Sequence, residues 1–182
     1  MNKKVLLIVI LLSIIHCSLL IVDLFCADVA FNNGENFSRY GLYNIAAEEY
    51  QKAVALNPRE PRYHRELAYV LAKLQQVEPA EREAEIAYHL NPQNSLTVRS
   101  LISTYVELAD IDPQYLTRAE EMIVEAVAQQ PTNPELYYQQ ALIFLKGEKD
   151  EEAVEALRKA LELKPDYQKP RELLESFPQS FR

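Results

Sequence analysis

The feature that most constrains this chain is a short pattern that recurs four times at nearly constant spacing. Each copy has an alanine, a residue four positions later, another alanine three positions after that, and a proline five positions further on. The copies are Ala46, Tyr50, Ala53, Pro58; Ala80, Ala84, Ala87, Pro92; Ala119, Ile123, Ala126, Pro131; and Ala153, Leu157, Ala160, Pro165. Successive prolines are therefore 34, 39 and 34 residues apart. A fixed period of this length predicts an array of small stacked units.

The spacing inside each copy indicates a helix. Residues at positions i, i+4 and i+7 share one face of an α-helix, and small side chains there let a neighbouring helix approach closely. The proline then ends the helix, because it lacks an N–H and disfavours helical geometry in the residue before it. With only 3 glycines and 48% hydrophobic residues, the composition also favours a helix-rich fold.

These four copies resemble the tetratricopeptide repeat, a 34-residue helix-turn-helix unit, over residues 27–167. The resemblance implies an all-α, right-handed α-solenoid of about four repeats, each with a helix A followed by a helix B that carries the pattern. An N-terminal hydrophobic helix precedes the repeats, and a capping helix containing Leu173, Leu174 and Phe177 follows them. Five extra residues fall between the helices of the third repeat. The predicted ranges are 1–26 for the leader, 27–60, 61–94, 95–133 and 134–167 for the repeats, and 168–182 for the capping helix.

The leader is apolar enough to cross a membrane. Residues 5–22 carry no charge, and 18 residues span about 27 Å as a helix, close to the roughly 30 Å of a bilayer core. Signal peptides are usually cut after small residues at the −3 and −1 positions. Cutting after Ala27 leaves Phe25 at −3, and cutting after Ala30 leaves Asp28 there. We therefore expect an uncleaved anchor, and we keep a cleaved signal peptide as the alternative.

The charges beside this segment predict its orientation. Lys3 and Lys4 precede it, whereas Asp23, Asp28 and Glu35 follow it. Because basic residues favour the cytoplasmic side, the repeats are expected on the extracytoplasmic side of a single-pass membrane protein. If the leader is cleaved, the product is a secreted or periplasmic protein.

Residue types elsewhere give no indication of catalysis. The formal net charge is −8 without a run of Lys or Arg, which argues against nucleic acid as a partner. The three histidines and the two cysteines, Cys17 and Cys26, form no metal-ligand or nucleotide-binding motif. We expect no metal, no cofactor and no enzymatic activity.

The resemblance implies that helix A residues line an inner groove that binds peptides. Carried onto this chain, these positions include Phe31, Arg39, Arg62, Arg65, Tyr69, Lys73, Arg99, Tyr138 and Lys146. Arginine pairs well with carboxylates and tyrosine offers rigid contact area, so the groove is expected to take an acidic or C-terminal peptide segment. In the alternative, these cations pair with Glu35, Glu66 or Glu107, and binding belongs to another face.

Together these expectations describe a non-catalytic, membrane-tethered scaffold that acts in the assembly of a membrane or envelope complex. The alternatives are a cleaved soluble adaptor and an accessory subunit of an enzyme complex. Homo-oligomerisation through exposed helix faces stays open.

Overall fold

The computed structural model describes residues 3–178, with side chains from residue 10 onward. Within that range the chain forms nine helices and no β-strand. The helices are α1 (Lys3–Arg39), α2 (Tyr43–Leu56), α3 (Pro61–Lys73), α4 (Val77–Leu90), α5 (Ser95–Leu108), α6 (Gln114–Gln129), α7 (Pro134–Lys146), α8 (Asp150–Leu163) and α9 (Gln168–Ser176). The all-α class with helical hairpins is confirmed. The chain divides into two compact units, Met1–Thr97 (unit 1) and Val98–Arg182 (unit 2).

The helix B positions of the repeating pattern lie in the interior of the two units. All twelve non-proline residues of the pattern, on α2, α4, α6 and α8, are at most 5% exposed. The four prolines are exposed and directly follow the last residue that caps each of these helices. The alanines thus allow close helix contact, and the prolines end the helices at the surface.

Three of the turns between helices A and B share one backbone feature. Gly41, Gln75 and Glu148 all have positive φ angles, of 74°, 60° and 57°. They occupy equivalent places in the first, second and fourth hairpins, where the chain reverses within a few residues. The third hairpin has the five-residue insertion, and there Asp112 instead accepts a 3.0 Å hydrogen bond from the Gln114 backbone N–H.

The A helices α3, α5 and α7 begin with polar caps. The side chains of Glu60, Asn94 and Asn133 accept hydrogen bonds from backbone N–H groups two residues further on. In α3 and α7 a proline occupies the first turn, where its missing N–H has no helical partner to lose. These starts fix where each A helix begins, and therefore which side chains reach its neighbours.

The helix α1 is continuous from the apolar segment into the first repeat. Its 37 residues run without interruption, and Ala27, Ala30, Phe31 and Gly34 form a buried stripe on one side. Residues 10–26, by contrast, are exposed. Among the described residues one helix, Ile10–Arg39, is long and apolar enough to cross a membrane, as an N-terminal signal sequence can also be. The described part excludes residues 1–2 of the predicted leader, the side chains of residues 3–9 and residues 179–182 of the predicted cap.

The core of unit 1 is built around three aromatic rings. Phe31 of α1 lies 5.6 Å from Tyr50 of α2 and 5.1 Å from Tyr63 of α3, measured between ring centroids. All three side chains are almost fully buried. Gly34 lets α1 approach Tyr50, because a Cβ atom at this position would lie 2.6 Å from two carbons of the Tyr50 ring.

A buried histidine joins α3, α4 and the loop before α3. His64 Nδ1 lies 2.6 Å from Glu83 Oε2, and His64 Nε2 lies 2.9 Å from the carbonyl oxygen of Pro58. Both neighbours are acceptors, so both ring nitrogens can donate only when the imidazole is protonated. Burial disfavours that charge, but the hydrogen bonds to Glu83 and Pro58 outweigh burial and raise the pKa of His64.

In unit 2, the C-terminal helix α9 covers the last hairpin. A core cluster includes Ala141, Ala153, Val154, Leu157 and Phe177. Leu173 and Leu174 of α9 pack against this cluster, so the apolar side of α9 shields the end of the array from water. The expected capping helix is confirmed, and it ends at Ser176.

We predict that Gly34→Ala destabilises the protein although alanine favours helices. Moving the Tyr50 ring in a packed core costs about 1–3 kcal/mol, which exceeds the roughly 1 kcal/mol gained in helix propensity. Gly147→Ala is the matched control, because its Cβ would meet chiefly the movable Glu120 carboxylate at 3.0 Å. Thermal unfolding of the full chain in detergent, followed by circular dichroism, should show a lower Tm for Gly34→Ala only. An unchanged Tm for Gly34→Ala would contradict this account of the core.

We also predict that the His64–Glu83 contact makes stability depend on pH. Because the folded pKa of His64 is raised, its stabilising contribution is present below the unfolded value of about 6.5 and is lost as pH rises through the folded value. Urea unfolding over a pH series should therefore show stability falling in this window.

The variant Glu83→Gln should flatten that dependence, since the charged partner of the imidazolium is removed. Glu85→Gln, an exposed carboxylate on the same helix, serves as the control and should leave the dependence unchanged. Identical pH profiles for wild type and Glu83→Gln would show that His64 does not carry the effect.

Candidate partner-binding surface

The predicted groove residues at the start of unit 1 form a packed cluster. Phe31 is 3% exposed, and the Arg62 guanidinium covers it with its central carbon 4.8 Å from the ring centroid. Arg62 Nη2 also lies 3.1 Å from Asp28 Oδ1. A partner can touch Phe31 only if Arg62 moves aside, so Phe31 contributes chiefly to the core.

The same aspartate also binds a tyrosine. The Tyr63 hydroxyl donates a 2.7 Å hydrogen bond to Asp28 Oδ1. Burial and this bond to a carboxylate together raise the pKa of Tyr63 to about 12, so its phenol is protonated at neutral pH. Asp28 therefore ties α1 to α3 through two side chains.

Three predicted residues form a stripe along α3. Arg65, Tyr69 and Lys73 are spaced four residues apart and are all partly buried. Arg65 Nε donates to Glu66 Oε1 at 2.9 Å, and Lys73 Nζ lies 5.5 Å from the centroid of the Tyr69 ring. The structure thus brings these three together, whereas Arg39 lies exposed at the last residue of α1.

In unit 2 the predicted cations are bound to carboxylates. Arg99 Nη1 lies 2.5 Å from Glu135 Oε2, and Lys146 Nζ lies 2.6 Å from Asp110 Oδ1. Tyr138 packs against Tyr167 with ring centroids 5.6 Å apart. An acidic partner must therefore compete with carboxylates of the chain itself, although exposed pairs of this kind contribute only about 0–1 kcal/mol each.

These ion pairs follow the repeat period. The pairs Asp28–Arg62, Arg99–Glu135 and Asp110–Lys146 join residues 34, 36 and 36 positions apart. Each links one A helix, or its end, to the A helix of the next repeat. Opposite charges about one period apart are the sequence signal that would have identified them.

The structure also shows an apolar site that sequence reasoning missed. A cavity of about 120 Å³ lies between α5 and α7, lined by Ile102, Ser103, Val106, Gln139, Leu142 and Ile143. Leu142 is 41% exposed, and Gln139 Oε1 is buried without a hydrogen-bond partner among the described residues. The groove positions of the A helices also include Ser103, Val106 and Leu142. They were not predicted as site residues because only basic and aromatic side chains were considered there.

The A-helix face of unit 2, defined here as the face formed by α5 and α7, therefore offers three kinds of contact. It has the apolar cavity, the ion pairs of Arg99 and Lys146, and the Tyr138 ring. Within the described residues no three His, Cys, Asp or Glu side chains are grouped so that they could hold a metal ion. This combination is suited to holding a peptide segment by an apolar side chain with charged groups around it.

Comparison with protein families gives two matches over separate parts of the chain. Residues 31–95 and residues 134–167 each match a family described as tetratricopeptide repeat. Together the two matches cover more than half of the chain. No curated protein matches the sequence.

Several solved structures share the fold at low sequence identity. The thermophilic TPR protein TTC0263 of Thermus thermophilus aligns with a TM-score of 0.66 and 23% identity, over 81% of this chain and 79% of that one. YrrB, described as a TPR protein with an unusual peptide-binding site, gives 0.61 and 21%, over 82% and 74%. PilF of Pseudomonas aeruginosa gives 0.63 and 20%, over 82% and 66%.

Proposed function

The chain belongs to the tetratricopeptide repeat family, and from this we propose that it is a non-catalytic, membrane-tethered scaffold that binds partner proteins through its A helices. Repeats of this kind mediate protein interactions, and YrrB is described as having a peptide-binding site. The proposed role is assembly of a membrane or envelope complex, with the repeats on the extracytoplasmic side.

The main observation in support of the membrane tether is the continuity of α1. Ala27 is fully buried and Ala30 is 7% exposed, and both pack inside the first repeat. Cleavage after Ala27 or Ala30, the two cut sites considered from the sequence, would remove one or both of these alanines from the core. Folding of the first repeat therefore favours retention of the leader, which leaves the exposed apolar residues 10–25 to lie in a bilayer.

We propose that the partner presents an apolar side chain with carboxylates beside it. The cavity beside Leu142 can take the apolar group, while Arg99 and Lys146 can exchange their internal carboxylate partners for those of an acidic or C-terminal segment. Because the internal ion pairs must open, charge contributes to selectivity more than to affinity.

The alternative functions are a cleaved soluble adaptor and an accessory subunit of an enzyme complex. Either would bind its partner through the same A-helix face. They differ from the tethered scaffold in where the protein and its partner are found. Association of copies of this chain through exposed helix faces is compatible with each of them.

We predict that Leu142→Asp lowers partner retention by about tenfold or more, since an unpaired carboxylate in an apolar contact costs over roughly 1.4 kcal/mol. Tagged full-length protein would be isolated from its native membranes, and copurifying proteins would be quantified by mass spectrometry. Leu142 is 41% exposed, so the variant should keep its helical circular dichroism spectrum.

Val124→Asp is the matched control. Val124 is 52% exposed on α6, a B helix of the same unit, and lies outside the A-helix face. It should leave partner retention unchanged. Loss of the same proteins in both variants, or in Val124→Asp alone, would contradict binding through the A helices.

A further inference from the structure

Unit 1 carries a largely apolar groove where the first repeat meets the apolar part of α1. This α1–α2 groove has a volume of about 560 Å³. Phe25 and Val29 of α1 and Leu56 of α2 line it, and the polar residues Glu49 and Lys52 stand at its rim. The groove is separate from the A-helix face proposed to bind partners, because one of its walls is a B helix.

The apolar side chains of this groove are unusually accessible. Phe25 is 69% exposed, Val29 44% and Leu56 39%. Full burial of a side chain of this size contributes about 1.5–3 kcal/mol, and each of these partly exposed side chains forgoes a fraction of it. A clustered set of them indicates a surface that something apolar covers.

The position of the groove on α1 determines what lies beside it. Phe25 and Val29 follow the end of the uncharged segment, Val22, by three and seven residues of unbroken helix. At about 1.5 Å per residue these are distances of roughly 4.5 and 10 Å along the axis. The headgroup layer on each side of a bilayer is about 5–7 Å thick, so a bilayer that covers residues 5–22 reaches Phe25 at the near end of the groove and ends a few ångströms short of Val29.

From this continuity we infer that the α1–α2 groove is a lipid-binding site, in which a bilayer lipid covers Phe25 at the level of the headgroups and extends from there along the groove onto Val29 and Leu56. The inference rests on the proposed membrane tether and adds a second contact to it. The first repeat then rests on the membrane through the C-terminal end of α2, instead of turning freely about the anchor.

The rim of the groove fits this occupant. Lys52 has 60% of its side chain exposed, and its Nζ lies 2.5 Å from Glu49 Oε1. A lysine at such a boundary lays its aliphatic stem along apolar surface, and its ammonium group would exchange the Glu49 carboxylate for a lipid phosphate. The opposite end of α2 begins after Leu42, one helix of 14 residues or about 21 Å away, and is directed away from the bilayer.

The chain contains no tryptophan, so single tryptophan variants report on chosen sites without background. We would prepare Phe25→Trp, Leu56→Trp and Leu42→Trp in the full chain. Each would be reconstituted into phosphatidylcholine vesicles with acyl chains brominated near the headgroup, because bromine quenches tryptophan on contact. Leu42 is 47% exposed and is the matched control for Leu56. Circular dichroism and vesicle flotation would be measured for every variant.

The inference predicts that Trp at positions 25 and 56 loses more than half of its emission relative to non-brominated vesicles, while Trp at position 42 loses almost none. Quenching at 25 without quenching at 56 would overturn the lipid-binding site and leave the tether standing. Equal quenching at 56 and 42 would also overturn it, because the unit would then lie flat on the membrane. A chain that does not float with the vesicles would refute both the tether and the lipid-binding site.

Discussion

The packing of α1 against α2 and α3 is the interaction on which the rest of unit 1 depends. One helix supplies both the exposed apolar segment and the buried stripe of Ala27, Ala30, Phe31 and Gly34. Since an uninterrupted helix transmits its direction through every turn, whatever holds residues 10–25 also orients the first repeat. The close approach at Gly34 to Tyr50 fixes the rotation of α1 about its axis, and this sets which residues of α1 face α2 and α3.

The charged side chains of the A helices form ion pairs with other residues of the protein. Asp28–Arg62 in unit 1, and Arg99–Glu135 and Asp110–Lys146 in unit 2, join successive A helices at about one repeat period. A surface that sequence alone describes as basic is therefore largely neutralised by its own carboxylates. Within the A-helix face, we therefore expect burial of the apolar cavity beside Leu142 to contribute most to the free energy of partner binding.

The sequence predicted those features that a repeat period determines directly. The helical class and the four hairpins follow from the alanine and proline spacing, because these residues act on their own and adjacent helices. The capping helix was predicted separately, from Leu173, Leu174 and Phe177 after the last repeat. The period does not determine which carboxylate a long side chain binds 34 to 36 residues away. The alternative of internal ion pairs therefore named Glu35, Glu66 and Glu107, whereas Arg62, Arg99 and Lys146 bind Asp28, Glu135 and Asp110. Nor did the period show that Phe31 is buried, because its burial depends on the Tyr50 and Tyr63 rings and the Arg62 guanidinium that pack against it. The continuity of α1 did have a signal, because neither glycine nor proline occurs before Gly34.

The most direct test of the account is the intact mass of the mature protein extracted from its native membranes. A continuous α1 that serves as both anchor and first repeat helix predicts the full-length mass, near 21.0 kDa, in the membrane fraction. A soluble protein lacking the residues up to Ala27 or Ala30 would contradict it, because the apolar segment would then be a signal peptide and the first repeat would fold without its buried alanines.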